Sequence, residues 1–153
     1  MLTRRDILTA TLLSLPAATL LSRPAMAGKP PVFASGGVAI NGYDPVAYLT
    51  MSKPVKGDAA FASDWVGASL LFANAENKTI FDADPDKYAP KYGGYCAYAV
   101  SKGATAPTDP TAWTVHEGRL YLNFSVDVRG IWRQDLTGNI ARADTNWPGV
   151  LEA

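Results

Sequence analysis

The single cysteine, Cys96, limits how this chain of 153 residues can be stabilised. One cysteine cannot form an internal disulfide, and Cys96 with the single histidine, His116, cannot fill a four-ligand zinc site. A transition metal would also need carboxylate, tyrosine, methionine, backbone or water ligands, or a second copy of the chain. The length permits one domain, and 48% of the residues are hydrophobic. We therefore expect one domain with a substantial hydrophobic core.

The first 27 residues have the pattern of a cleavable export signal. Arg4-Arg5 forms a charged start, residues 7–21 are apolar, and an Ala-x-Ala cleavage site ends at Ala27. The apolar stretch is too short and too rich in Thr and Ser to anchor the chain in a bilayer. The arginine pair and Arg23 favour the twin-arginine route. The sequence thus predicts a periplasmic protein that meets the membrane only during export.

Removal of this signal changes the charge of the chain. The full sequence has 14 basic and 14 acidic residues, of which residues 1–27 contain three and one, so the mature chain carries 11 basic and 13 acidic residues. A slightly acidic chain lacks the basic surface that gives nucleic-acid binders their phosphate affinity. We therefore exclude nucleic acid as a partner.

The mature chain divides into two parts. Residues 28–37 are rich in Pro and Gly and are predicted to form a flexible lead-in. Residues 38–153 contain no linker or repeat and are predicted to form one α+β domain, with small antiparallel hairpins packed against short helices and a helical C-terminal region. The predicted elements are helices over 45–50, 75–82 and 85–88, strands over 61–65, 69–73, 113–116 and 119–122, and helix within 126–147.

Capping residues support these helices. Asp44-Pro45 and Asp84-Pro85 each combine an N-cap with proline at the first helical position, and Asn74 and Ser125 are further N-caps. Between residues 128 and 147, apolar residues recur at spacings of three and four, which predicts a single buried face. Gly138 is the expected point at which this region bends or divides.

Three sequence blocks within residues 43–98 resemble the YHS domain family. They are Tyr43–Tyr48, Leu71–Asn77 and Phe81–Tyr88. Metal-handling members of the family carry three cysteines, and those positions fall on Ala47, Ala73 and Asn77 of this chain. The resemblance therefore implies the family scaffold without the thiolates that would select Cu(I) or Zn.

Further motifs extend the resemblance over nearly all of the mature chain. Tyr92–Val100, Asp109–Trp113 and Asn146–Pro148 are similar to an exported, single-domain subgroup of the same family. That similarity implies the same fold. It implies no defined activity.

Cys96 is the first candidate site residue, because an unpaired thiol is unusual in an oxidising compartment. It follows Gly93-Gly94 within a cluster of tyrosines, and the alternation around it predicts a strand over 95–98. Three roles remain open: a copper ligand, a redox-active thiol, or a small buried hydrophobic residue.

His116 is the second candidate, and it precedes a predicted Glu117-Gly118 turn where we expect it at the surface. With Cys96 and Met51 it could contribute to a copper site, but the second histidine of a blue-copper centre is missing. The alternating acids at positions 82, 84 and 86 lack the glycine and final glutamate of a calcium loop. Capping is enough to explain Asp84.

The aromatic residues either line a ligand pocket or belong to the core. They include Tyr43, Tyr48, Trp65, Trp113, Trp132 and Trp147. No Ser-His-Asp order, phosphate-binding glycine loop or Cys-x-x-Cys motif supports an enzyme class.

Three functional hypotheses follow. The first is an exported, non-enzymatic YHS-like module that binds a small ligand or metal ion, in its sharpest form copper through Cys96 and His116. The second is a redox enzyme that uses the Cys96 thiol. The third is a structural or interaction domain without a metal. The oligomeric state stays open.

The export signal gives the first testable prediction. Replacing Arg4 and Arg5 together with lysine should retain the precursor in the cytoplasm, because the twin-arginine route requires the arginine pair. Cell fractionation and the mass of the product measure the effect, and Arg23→Lys is the matched control. Normal export of the double variant would contradict the assignment to this route.

Overall fold

Six strands and six α-helices make up residues 28–153, the part of the chain that this computed structural model describes. The strands are β1 (Ala34–Ser35), β2 (Val38–Ala39), β3 (Asp58–Trp65), β4 (Ala68–Phe72), β5 (Asp109–His116) and β6 (Arg119–Asn123). The helices are α1 (Pro45–Thr50), α2 (Ala75–Ala83), α3 (Pro85–Tyr88), α4 (Ala97–Ser101), α5 (Val126–Arg133) and α6 (Leu136–Asn146). The predicted α+β class is confirmed. The predicted export signal lies outside the described residues.

The strands form two sheets. A four-stranded sheet has the order β1-β2-β4-β3 and is antiparallel except for the β2–β4 pair, and β5 and β6 form a separate antiparallel hairpin. All three hairpin turns among the described residues, Gly36-Gly37, Val66-Gly67 and Glu117-Gly118, have positive φ at their two central residues. That backbone conformation matches the right-handed twist of the flanking strands.

The β6 strand separates two hydrophobic cores. Leu120 and Leu122 belong to a first core with the four-stranded sheet, α1 and α2, whereas Tyr121 belongs to a second core under the C-terminal helices. Alternate residues of a strand point to opposite faces, so one short strand serves both cores. The largest residues of the first core are Tyr48, Leu70, Phe72 and Phe81, and those of the second include Tyr92, Tyr121 and Trp132.

The C-terminal helical region is divided at a different place from the one predicted. The break falls at Gln134-Asp135, and Asp135 caps α6 by accepting the Gly138 backbone N–H at 3.2 Å. A Cβ at position 138 would overlap the Asp135 carboxylate. Gly138 is therefore needed for the cap that starts the second helix, and it does not itself divide the region.

Residues 28–34, referred to below as the strap, pack against the domain instead of forming the expected flexible lead-in. Val32 is buried, the Lys29 backbone N–H donates to the Leu151 carbonyl at 2.8 Å, and that of Phe33 donates to the Gly93 carbonyl at 2.9 Å. Proline and glycine content suggested flexibility, but the two apolar residues at 32 and 33 supply the packing that holds the strap. No helix of residues 28–153 is long and apolar enough to cross a membrane.

Candidate functional site

Asp44 is fully buried and accepts four hydrogen bonds. Its Oδ1 accepts from the backbone N–H groups of Val46 at 2.8 Å and Ala47 at 3.3 Å, which caps α1. Its Oδ2 accepts from the Ala73 backbone N–H at 2.8 Å and the Asn77 side-chain amide at 2.7 Å. No lysine or arginine among the described residues forms a salt bridge with it. Hydrogen bonds alone therefore offset the desolvation of this side chain.

The residues that donate to Asp44 include all three positions at which the resemblance places the family's cysteines. Ala47 and Ala73 donate through their backbone and Asn77 through its amide. These positions lie up to 30 residues apart in sequence, yet they meet at one carboxylate. In this chain the region is thus a hydrogen-bonded structural centre, since alanine and asparagine provide no thiolate.

Cys96 lies immediately before α4, so the strand predicted over residues 95–98 is wrong. Gly93 and Gly94 both have positive φ and turn the chain, after which the Cys96 carbonyl accepts the Val100 N–H and starts the helix. The thiol is buried, with the residue only 1% exposed. Its position fits the interpretation of Cys96 as a small buried residue.

The sulfur of Cys96 has polar partners on β6 and just beyond it. Sγ lies 3.6 Å from the Asn123 Oδ1, to which it can donate, and accepts the Phe124 backbone N–H at 3.3 Å. The same Asn123 oxygen accepts the Tyr98 backbone N–H at 3.2 Å. Cys96 and Asn123 therefore join the start of α4 to the end of β6.

The structure does not bring His116 to Cys96. His116 pairs with Arg119 at one end of the β5–β6 hairpin, whereas Cys96 contacts Asn123 at the other end. Four residues of strand separate these ends by about 13 Å. His116 is partly exposed, with Glu117 at 3.9 Å, and Met51 is half exposed at the end of α1. Among the described residues, no three His, Cys, Asp or Glu side chains are grouped as a metal site.

The alternating acids have separate structural roles. Asp84 caps α3 by accepting the Lys87 backbone N–H. Asp82 accepts from Lys78 Nζ and Ser63 Oγ, both at 2.6 Å, and these hydrogen bonds lower the pKa of the Asp82 carboxyl. Asp82 and Asp84 thus have local partners.

A cleft of about 300 Å³ opens where the strap passes the β3–β4 turn. It is referred to below as the strap cleft. Its walls come from six parts of the chain: the strap, the β3–β4 turn, α3, the segment around residue 91, the first residue of β6 and the end of α6. The main lining side chains are Val32, Trp65, Val66, Lys91, Arg119 and Trp147. Of the six aromatics considered in the sequence, Tyr48 and Trp132 are buried in the cores, and Tyr43 and Trp113 pack against the first core. Trp65 and Trp147 each pack against a core and also line this cleft.

The two cations of the strap cleft differ in their surroundings. Lys91 Nζ lies 3.3 Å from the Asp144 carboxylate and 5.3 Å from the centre of the Tyr92 ring. Tyr92 also donates to Asp144, at 2.9 Å, and its pKa is raised by burial and by this hydrogen bond. Arg119, in contrast, forms no salt bridge with any described residue, and its Nε is buried without a hydrogen-bond partner. Arg119 is therefore the uncompensated cation of the cleft.

Two of the six non-glycine residues with positive φ among the described residues line the strap cleft. They are Tyr92, with φ 57°, and Val66, with φ 51° in the β3–β4 turn. A left-handed conformation costs about 1–2 kcal/mol for a residue with a Cβ, and Val66 is β-branched. The other four, Ile40, Asn41, Ser52 and Glu117, lie outside the cleft, so backbone strain does not distinguish this site.

Sequence reasoning missed Arg119 and Lys91. Arg119 begins a strand that is otherwise apolar, so it looks like a solvated residue at a turn. The pairing of Pro90 with Leu120 brings the two basic residues to one cleft, and no local spacing encodes that pairing. In the sequence, Tyr92-Gly93-Gly94 indicates that another backbone segment can approach closely at the glycine pair. It does not identify that segment.

No protein-family model, curated protein or solved structure matches this chain. Function is therefore inferred from the geometry of the chain itself and from the motifs quoted above.

The Asp44 centre gives a stability prediction. Asp44→Asn should lower the free energy of unfolding by about 2–4 kcal/mol, because an amide nitrogen would then face the donors Ala73 and Asn77. Urea unfolding of residues 28–153 measures the loss. Asp127→Asn, an exposed acid in the first turn of α5, should change stability by no more than about 0.5 kcal/mol. A loss as small in Asp44→Asn as in this control would contradict the structural role.

The burial of Cys96 gives a reactivity prediction. Folded protein should resist alkylation by iodoacetamide, whereas the same protein in guanidinium chloride should be fully alkylated, because the native thiol is inaccessible to the reagent. Mass spectrometry of time points measures both reactions. Alkylation of the folded protein at the rate of a free thiol would contradict this prediction and favour the redox hypothesis.

Proposed function

We propose that this chain is an exported, non-enzymatic binding module with a YHS-like scaffold, and that the strap cleft is its ligand site. The observation that carries the proposal is the composition of that cleft, in which Trp65 and Trp147 lie beside the uncompensated Arg119. Ligand sites in proteins are concave, mostly apolar and equipped with a few polar groups that fix orientation. The strap cleft has this character at the small end of the usual size range.

The YHS-like scaffold is supported by the Asp44 centre. The motif resemblance aligns Ala47, Ala73 and Asn77 with the three cysteines of metal-handling family members. All three residues donate hydrogen bonds to the Asp44 carboxylate. If the resemblance were due to chance, the three aligned positions would not be expected to contact the same side chain. Export to the periplasm follows from the signal pattern of residues 1–27, and the strap begins directly after the predicted cleavage site.

A non-enzymatic role is supported by the chemistry of the cleft. No serine, threonine, cysteine or histidine is among its lining residues. The raised pKa of Tyr92 keeps its hydroxyl protonated, which makes it a poor general base. The polar side chains that line the cleft, mainly Asp86, Lys91 and Arg119, are charged groups that can fix the orientation of a ligand.

The copper form of the hypothesis is less well supported by the geometry. Copper at Cys96 would require its buried thiol to give up its contacts with Asn123 and Phe124, and His116 lies at the other end of the hairpin. Titration of Cu(I) and Cu(II) into wild type and Cys96→Ser tests this form directly. Tighter copper binding by the wild type than by Cys96→Ser would support the copper form of the hypothesis.

A ligand panel tests the proposed function. Residues 28–153 contain all the described strands, helices and core residues, and thermal shift and tryptophan fluorescence can be recorded with benzoate, benzamide, benzylamine and maltose. At least one probe should bind the wild type and bind Trp65→Ala about tenfold more weakly, since that variant loses an aromatic wall. Phe124→Ala, which removes an exposed aromatic outside the cleft, should bind as the wild type does.

Two results would overturn the proposal. One is that no probe shifts the melting temperature or the fluorescence of the wild type. The other is that Trp65→Ala and Phe124→Ala bind equally well, because the ligand would then lie elsewhere. Circular dichroism confirms that each variant is folded before binding is compared.

A further inference from the structure

Arg119 is the one group of the strap cleft whose electrostatic surroundings within residues 28–153 are incomplete. Lys91 has Asp144 as its partner, and Tyr92 donates to the same carboxylate. Arg119 has no carboxylate within salt-bridge distance, and its Nε donor is shielded from solvent without an acceptor. A buried donor without a partner costs about 1–3 kcal/mol. A carboxylate bound in the cleft would give the Arg119 guanidinium the anionic partner that no described residue provides.

We infer that the strap cleft binds a small organic monoanion, whose carboxylate pairs with Arg119 and whose flat apolar part lies against Trp65 and Trp147. The inference rests on the proposed function, because it takes the strap cleft as the ligand site. A guanidinium presents its N–H groups in a planar fork that matches the two oxygens of a carboxylate. The indole rings provide the apolar surface for the rest of the molecule.

The charged residues at the strap cleft favour a ligand with a single negative charge. Within the described residues that line the cleft, Arg119 is the only cation without a compensating acid, and the exposed Asp86 lies at the same cleft. Lys91 and Asp144 neutralise each other. A dianion such as a phosphate monoester would therefore meet one free cation, Arg119, and the Asp86 carboxylate, so it is disfavoured relative to a ligand with one negative charge.

The size and the walls of the cleft select a small and partly apolar ligand. A volume of about 300 Å³ is at the lower limit for ligand pockets. Val32 and Val66 add aliphatic surface beside the two tryptophans. An ion without an apolar part, such as inorganic phosphate, would leave these walls without a contact.

Benzoate is the probe of this inference, and benzamide is its neutral isostere. Isothermal titration of residues 28–153 should give an affinity for benzoate at least about tenfold higher than for benzamide, because only benzoate carries the charge that Arg119 pairs with. Arg119→Gln should abolish the difference between the two probes. Arg133→Gln, which removes an exposed cation of α5 outside the cleft, should preserve it.

Two further variants test the inference even if Arg119→Gln does not fold. Asp86→Asn is an exposed change that removes a negative charge from the cleft, so it should tighten benzoate binding and leave benzamide binding unchanged. Arg119→Lys retains the charge without the planar fork and should give an intermediate affinity for benzoate.

The possible failures separate the two proposals. Equal affinities for benzoate and benzamide, or tighter binding of inorganic phosphate than of benzoate, would overturn the monoanion inference. If benzylamine or maltose binds instead and is weakened by Trp65→Ala, the cleft remains a ligand site and only the ligand class is wrong. If no probe of the panel binds, the proposed function fails together with the inference.

Discussion

The buried carboxylate of Asp44 is the interaction on which the arrangement of the first core depends. It caps α1 and at the same time accepts from the end of β4 and from a side chain of α2. Three elements that are distant in sequence are thereby fixed around one residue. Because each of its hydrogen bonds satisfies a donor that is otherwise buried, the loss of the carboxylate affects all three elements together. The positions at which the resemblance places the family's cysteines, Ala47, Ala73 and Asn77, all donate hydrogen bonds to this carboxylate in this chain.

The second constraint is the position of β6 between the two cores. Leu120 and Leu122 fix one face and Tyr121 the other, so the strand cannot slip by one residue without exchanging its apolar and polar faces. Arg119 is the first residue of this strand, so the register of β6 also fixes the position of the Arg119 backbone. The backbone of Arg119 is therefore fixed at the strap cleft by the packing of the residues that follow it.

Local chemistry in the sequence predicted most of the secondary structure. Asp44, Asn74, Asp84 and Ser125 each cap the helix that they were expected to cap, because the signal and its effect lie within three residues. Features that depend on distant partners were not predicted. Gly138 was taken as a breakpoint, but the cap by Asp135 determines the division.

The same limit applies to the strap and to the candidate site. Residues 28–37 have the composition of a linker, but packing of Val32 and Phe33 and hydrogen bonds to partners distant in sequence, such as Gly93 and Leu151, hold the strap in place. Cys96 stood out by its rarity, yet the group with an incomplete environment is Arg119, an ordinary residue by sequence. The rarity of a residue can be read from the sequence, whereas the lack of a partner at Arg119 can be read only from the structure.

The strap also makes the shape of the cleft depend on the C-terminal end of the described residues. The Lys29 backbone N–H is bonded to the Leu151 carbonyl, and the strap residues Pro31 and Val32 line the strap cleft. A substitution that weakens the contact between the strap and Leu151 would therefore move one wall of the cleft without changing any residue that lines it.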